Sequence, residues 1–293
     1  MTIQNAKQMM QKAQKGHYAL GAFNTNNLEW TQAILRRAQE NQAPTILAVS
    51  MGAVQYMGGF KVVANLVRNL DEALEITVPI AIHLDHGTYE GAKQAIEAGF
   101  TSVMFDGSAL PLAENLAKTK EIVARAQAAN VSVEAEVGSI GGEEDGVVGE
   151  GELAAIDDAV LMTETGIDFL AAGIGNIHGI YPQNWRGLHL DHLEQLSAAV
   201  TTARGQAMPI VLHGASGIPD DQIQAAIQLG VAKVNVNTEL QLAFHNATRQ
   251  FVETDQDLSG KNYDPRKFLK PGVTAIEQAL DERIAVFGNA NRI

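Results

Sequence analysis

Residues 78–87 read VPIAIHLDHG. The short, near-continuous apolar run over residues 78–85, closed by an acid and followed by a histidine and a glycine, has the form of a strand buried on both faces, with polar groups delivered at its C-terminal end. Similar runs recur at residues 18–24 (YALGAFN), 45–50 (TILAVS), 102–106 (SVMFD), 131–137 (VSVEAEV), 168–172 (DFLAA), 209–213 (PIVLH) and 232–237 (AKVNVN). Amphipathic stretches separate them. Leu28, Ala33, Ile34 and Ala38 mark one helical face, residues 89–98 run into Gly99, and residues 112–129 are alanine-rich. Ile218, Pro219, Asp220 and Asp221 open another helix, which Gly230 closes. Eight strand–helix units in about 240 residues is the arithmetic of an α/β fold of the (β/α)8 TIM-barrel type, with a doubly wound open sheet as the structural alternative. No Pro/Ser-rich linker or break in charge divides the chain. Residues 1–293 are therefore expected to form one barrel domain, including a C-terminal helical extension over about 250–293.

With 46% hydrophobic and 19% charged residues the chain has enough apolar content for a full core, which excludes disorder as the main reading. It has no cysteine, so disulfide frameworks, thiolate metal sites and thiol nucleophiles are excluded, and any metal must be held by His, Asp or Glu. The formal charge of −13 sets the chain against nucleic acid and anionic membranes. Local backbone donors or a bound cation can still override that field for a phosphorylated substrate. The first residues, MTIQNAKQMMQKAQKGH, are polar and helical in pattern, without an apolar targeting core. No run approaches the roughly 18 apolar residues that a membrane span needs, so a cytoplasmic protein is expected.

Catalytic groups of such a barrel belong at the C-terminal strand ends and in the loops that follow. Asp85 and His86 close the third strand, His178 lies six residues past the sixth in GIGNIHGIYP, and His213 ends the seventh in IVLHGASG. Each histidine alone reads more readily as a structural residue than as a ligand. Converging from three strand ends, they form the three-imidazole set of a catalytic zinc site with an open position. The near-copy LHLDHL at 188–193 reads differently: Asp191 caps a helix and leaves His189 and His192 as surface or packing residues. Alternation puts His83 on the side of Asp85 and opposite His86, as a core or supporting residue. Residues 138–152, GSIGGEEDGVVGEGE, match neither glycine-rich nucleotide motif. They read as a solvated flexible loop or as a mobile lid carrying an acid/base carboxylate. Glu134 and Glu136 share one face of the fifth strand and would need a cationic partner if buried. Phosphate recognition fits residues 214–217 (GASG) and 235–238 (NVNT), which follow or close the last two strands.

The ordered segments GAFNTNNLEW, HLDHG, EAEVGSIGGEEDG, GNIHGIYP, LHGASGIP, KVNVNTE and YDPRKFLKPG cover nearly the whole chain. Together they resemble the class II, metal-dependent fructose-1,6-bisphosphate aldolases, in the shorter bacterial form that includes tagatose-bisphosphate aldolases. The resemblance implies Zn²⁺ on His86, His178 and His213, and a second divalent position at Asp106 and Glu136. It makes Asp85 the proton-transfer residue at the substrate hydroxyl, and Glu144 the loop carboxylate that exchanges a proton at the carbon joining the two halves. Substrate contacts are implied at Asn24, Ser50, Gly179, Gly214, Ser216, Asn235, Asn237 and Thr238. Arg266 would serve the distal phosphate across a subunit interface, in a homodimer or homotetramer. Backbone carbonyls of Ile177, Gly179 and Gly214 would hold a monovalent cation, Na⁺ or K⁺. The implied reaction is reversible cleavage of fructose 1,6-bisphosphate into dihydroxyacetone phosphate and glyceraldehyde 3-phosphate, as in glycolysis and gluconeogenesis. Tagatose 1,6-bisphosphate cleavage, or a metal-dependent phosphosugar isomerase or epimerase, are the alternatives.

Two positions depart from the resemblance. Ala215 replaces a glycine frequent in relatives and would crowd the loop if it needed positive φ, and Pro182 stands where some relatives carry a phosphate-binding lysine. A Schiff-base aldolase would need a buried lysine at a strand end. The sixth strand has none, and Lys233, early in the eighth, reads as a structural residue on the far side from the mouth.

Overall fold

The computed structural model describes residues 2–144, 147–149 and 151–293, excepting the side chains of 143–144 and 147–149. Its strands in chain order are β1 (Leu20–Asn24), β2 (Thr45–Ser50), β3 (Ile80–Gly87), β4 (Ser102–Phe105), β5 (Ser132–Val137), β6 (Gly141–Glu144), β7 (Val147–Gly149), β8 (Phe169–Ala172), β9 (Ile177–His178), β10 (Ile210–Leu212) and β11 (Val231–Val236). Eight of them close into a barrel in the order β1-β11-β10-β8-β5-β4-β3-β2, every pair parallel, which excludes the open sheet. The remaining β6, β7 and β9 form a small separate sheet.

The apolar runs are continuous because each barrel strand is covered on both faces. Leu47, Val49, Ile82, Leu84, Val103 and Val133 pack outward against the helices. Leu20, Ala22, Ile46, Ala48, Ala81, Met104, Phe169 and Val211 fill the interior. The N-terminal helix Lys7–Lys15, polar on its outer side, closes the barrel from below. Its Met9, Met10 and Ala13 join the interior cluster. Ala6 N donates to Ser132 Oγ and Gln14 Nε2 to Met208 O, both at the N-terminal ends of strands. That end is therefore plugged, and the opposite end is left for chemistry.

The C-terminal extension completes the helical ring. Helix Lys270–Val286 packs on Thr238–Glu253 and Leu28–Glu40, burying Ile276, Leu280 and Ile284. Asp281 accepts from Arg37 Nε and Nη2 at 2.8 and 2.7 Å, a two-pronged pair that fixes the approach. The helix of the LHLDHL segment begins at Leu190, so Asp191 lies in its first turn and does not cap it. His192 Nε2 lies 2.8 Å from Ala154 O, a packing contact with backbone.

Truncating the floor should be costly. Met10→Ala removes a fully buried side chain and is expected to lower unfolding free energy by about 2–5 kcal/mol. Denaturant unfolding checks this, and an unchanged midpoint would mean that the N-terminal helix does not close the barrel.

Candidate active site

The site begins with a break in strand periodicity. The pairing of β3 with β4 shifts register between Leu84 and Gly87, and His86 has φ +44. A left-handed residue that is not glycine costs on the order of 1–3 kcal/mol and signals an imposed geometry. Here it turns His86 back toward the mouth beside Asp85, so the alternation that set the two on opposite sides does not hold. Gly87 follows because β4 passes close: a β-carbon there would lie 2.4 Å from Met104 O.

His213, just past β10, and His178, on β9, complete the cluster. Ring centroids are 4.5 Å apart for His86–His213, 4.9 Å for His86–His178 and 6.0 Å for His178–His213. His86 Nε2 faces His213 Nδ1 at 3.0 Å, and one ligand atom from each of the three lies within 4.8 Å of the others. His86, Asp106 and Glu136 form a second such group. His86 Nδ1 meets Asp106 Oδ2 at 2.9 Å, and Ser108 donates through N and Oγ to Asp106 Oδ1. Glu136 is 1% exposed, and its Oε2 has no hydrogen-bond partner among the described residues. An orphaned carboxylate oxygen beside a second carboxylate and an imidazole fits a divalent cation, as does a donor set made only of nitrogen and oxygen.

Electrostatics divide the site: His178 and His213 are held neutral, while His86 and Glu136 are pushed towards their protonated forms. Burial, helped by the charge of His86, lowers the His178 pKa to about 4, and burial pushes His213 well below its ordinary value. Both imidazoles are therefore neutral and able to donate a lone pair. Burial alone would lower His86 too, but the Asp106 hydrogen bond and the charges of Asp85 and Glu136 raise it. Burial beside Asp106 raises Glu136.

Asp85 is 1% exposed with both oxygens held: Asn24 Nδ2 donates to Oδ2 and Asn235 Nδ2 to Oδ1, each at 2.9 Å. Burial would raise its pKa. The charges of His86 and Lys233, with the Asn24 bond, outweigh that and hold it well below the usual carboxylate range. An ionised carboxylate therefore lies 3.9 Å from His213 Nδ1, at the edge of the imidazole cluster.

A family model described as fructose-bisphosphate aldolase class-II matches residues 4–292. The chain belongs to the class II fructose-bisphosphate aldolases. A Streptococcus pyogenes serotype M3 relative named fructose-bisphosphate aldolase is 63% identical over 297 residues, and one from Streptococcus pneumoniae serotype 4 is 60% identical over 298; both alignments cover 100% of each chain. The crystal structure of a Campylobacter jejuni fructose-bisphosphate aldolase superposes with TM-score 0.86 over 99% of this chain and 97% of that one. At 24% identity it speaks to the barrel alone.

Within this aldolase the loops are tied together. Segment 138–152 is not simply a solvated loop: β6 pairs antiparallel with β7 and parallel with β9, setting Gly142 opposite His178. Gly142 has φ +88, and a β-carbon there would lie 2.1 Å from His178 O, so only glycine lets the strands meet. Glu144 ends β6, but its side chain lies outside the described residues. Tyr181 Oη accepts from Ile177 N at 2.9 Å and donates to Gly214 O at 2.7 Å, joining β9 to the loop after β10. A β-carbon on Gly214 would lie 2.3 Å from Ile177 O, so these two backbones touch, and Gly179 follows two residues on at φ +84. Ser216 Oγ accepts from Glu239 N at 3.1 Å, linking that loop to the start of helix Thr238–Glu253, beside half-buried Asn237 and Thr238. Ser50 Oγ caps helix Met51–Tyr56 through Ala53 N at 3.2 Å.

Ala215 is buried and outside the positive-φ region, so its methyl group strains nothing. Pro182 is exposed. Arg266 stands apart: it is nearly fully exposed and pairs with Asp264 rather than with any mouth residue. Lys233 is not on the far side. It lies inside the barrel, hydrogen-bonded to Glu134, which in turn meets His213. Its spacing of two from Asn235 on β11 is the signal that would have found it. Tyr181 and Asn176, whose Nδ2 donates to His213 O, carried no such signal.

The neutral histidines set a pH dependence. Burial lowers the pKa of His83, His178 and His213 from 6.5, and only His86 is raised. Between about pH 6.5 and 4 the unfolded chain binds protons at three histidines that the fold refuses, against the one proton that Glu136 keeps in the fold, so stability rises with pH. The chelator-treated chain should therefore melt progressively lower as pH falls from about 7 towards 4. A constant or rising melting temperature would contradict these assignments.

Proposed function

We propose that this aldolase cleaves fructose 1,6-bisphosphate reversibly into dihydroxyacetone phosphate and glyceraldehyde 3-phosphate, with Zn²⁺ held by His86, His178 and His213. The observation that carries this reading is the convergence of the three imidazoles beside Asp85, ionised and gripped by two asparagines. When bound, the cation supplies Lewis-acid stabilisation of charge developing on the substrate ketone and hydroxyl oxygens. Asp85 takes the proton of the C4 hydroxyl as the C3–C4 bond breaks and its electron pair stays on C3. Glu144 delivers a proton to C3, completing dihydroxyacetone phosphate. In the synthetic direction both transfers reverse. Asn24 and Asn235 hold Asp85 in place, and their buried Oδ1 atoms, without hydrogen-bond partners among the described residues, are free for the substrate.

The proximal phosphate would meet Gly179, Gly214 and Ser216, with residues 235–238 at the helix start, where backbone N–H groups and the helix dipole favour an anion. Asp106 and Glu136 support a second divalent position, and the touching backbones of Ile177 and Gly214, with Gly179, support a Na⁺ or K⁺ site. Arg266 would reach a distal phosphate only in a second copy of the chain, in a homodimer or homotetramer. Among the described residues no helix is long and apolar enough to cross a membrane, and cytoplasmic glycolytic or gluconeogenic work fits this chemistry. Lys233 is 0% exposed and committed to Glu134, which speaks against Schiff-base chemistry.

Triose phosphate release from fructose 1,6-bisphosphate should vanish on chelation and return with Zn²⁺, with tagatose 1,6-bisphosphate as the comparison substrate. Activity surviving verified metal removal would sink the mechanism. Asp85→Ala should lower kcat by about 10²–10⁴-fold while zinc stoichiometry stays unchanged. Full turnover by that variant would remove Asp85 from its role.

A further inference from the structure

Beneath the three histidines, four buried side chains from separate strands join His213 in one hydrogen-bonded chain. Ser102 Oγ lies 2.8 Å from His83 Nδ1, and His83 Nε2 lies 3.2 Å from Lys233 Nζ. Lys233 Nζ donates to Glu134 Oε2 at 2.7 Å, and Glu134 Oε1 lies 2.7 Å from His213 Nε2. All five residues are 0% exposed.

The donor and acceptor capacities fix the protons. An ammonium only donates, so His83 Nε2 accepts and its Nδ1–H points to Ser102. An ionised carboxylate only accepts, so His213 carries its proton on Nε2. The lone pair of His213 is then on Nδ1, the atom 3.0 Å from His86 Nε2 and 3.9 Å from Asp85 Oδ1. Glu134 has one oxygen on Lys233 and the other on His213, so it cannot swing up to bind a metal without leaving Lys233 unpaired in the core.

We propose that Lys233 and Glu134 are positioning residues that fix the tautomer of His213 and so present Nδ1 to the cation. The proposal rests on the metal reading above. Orientation of a ligating imidazole by a carboxylate is a general device, and losing it weakens metal binding by about 10–100-fold. What is particular here is that the carboxylate is itself anchored by a lysine inside the barrel. His86 is oriented independently, through Asp106.

Two measurements on the full chain test this. In ¹⁵N-histidine NMR of the zinc-loaded protein, His213 should ligate through Nδ1 and keep a slowly exchanging Nε2–H, whereas ligation through Nε2 overturns the proposal. The paired replacement Glu134→Leu with Lys233→Met removes both charges together and leaves no unpaired ion. It should bind zinc about 10–100-fold more weakly in chelator competition, and wild-type affinity in the folded variant overturns the proposal. Should that variant not fold, the NMR assignment of the wild-type chain decides alone. A wild-type chain that binds no zinc at all refutes the metal site itself, and this inference with it.

Discussion

One backbone conformation organises the mouth of this barrel. With His86 at φ +44 and the register slipping between Leu84 and Gly87, β3 sends two consecutive side chains into the same space. Regular pleating would have sent one of them out among the helices. Asp85 then reaches the asparagines of β1 and β11, while His86 reaches Asp106 beyond β4 and His213 beyond β10. The strain is borne by a closed barrel whose other contacts leave β3 little freedom to relax.

The interior is graded along its axis. At the floor it is hydrocarbon: Met9, Met10, Leu20, Ile46 and Phe169. Above that lies the ionic layer of His83, Lys233 and Glu134, and above it the imidazoles and Asp85. A buried ion pair gains little stability over apolar packing, but it is strongly destabilising to break. The layer therefore serves geometry more than stability. It also brings the charge of Lys233 to bear on Asp85, helping to keep that carboxylate ionised despite its burial.

The barrel was legible because burial on both faces writes itself as apolar runs, and all eight runs became barrel strands with ends within about two residues of expectation. The three histidines and Asp85 were legible because barrel chemistry gathers at strand ends, whereas Asp106 came only with the family resemblance. Other features were not. The left-handed turn at His86 has no sequence marker, since the residue is not glycine. The β6–β7 hairpin hid in a glycine- and acid-rich string that contains none of the β-branched alternation by which strands are recognised, apart from Val147 and Val148. Lys233 is hard to place from its chemistry as a nucleophile, whereas its parity with Asn235 on β11 turns it inward. Tyr181 acts through a hydroxyl that bridges two loops, a contact that no local pattern encodes.

The pairing of β6 with β9 makes the glycine-rich hairpin and His178 parts of one sheet, with Gly142 directly opposite the histidine. A shift of one strand is felt by the other, because the ladder that places His178 also places the backbone leading to Glu144. By thermodynamic reciprocity, whatever free energy a ligand at His178 lends to docking of the hairpin, the docked hairpin lends back to the ligand. The pairing at Gly141 and Gly142 and the placement of His178 are therefore one linked variable, and a substitution in either strand belongs to the energetics of the imidazole cluster.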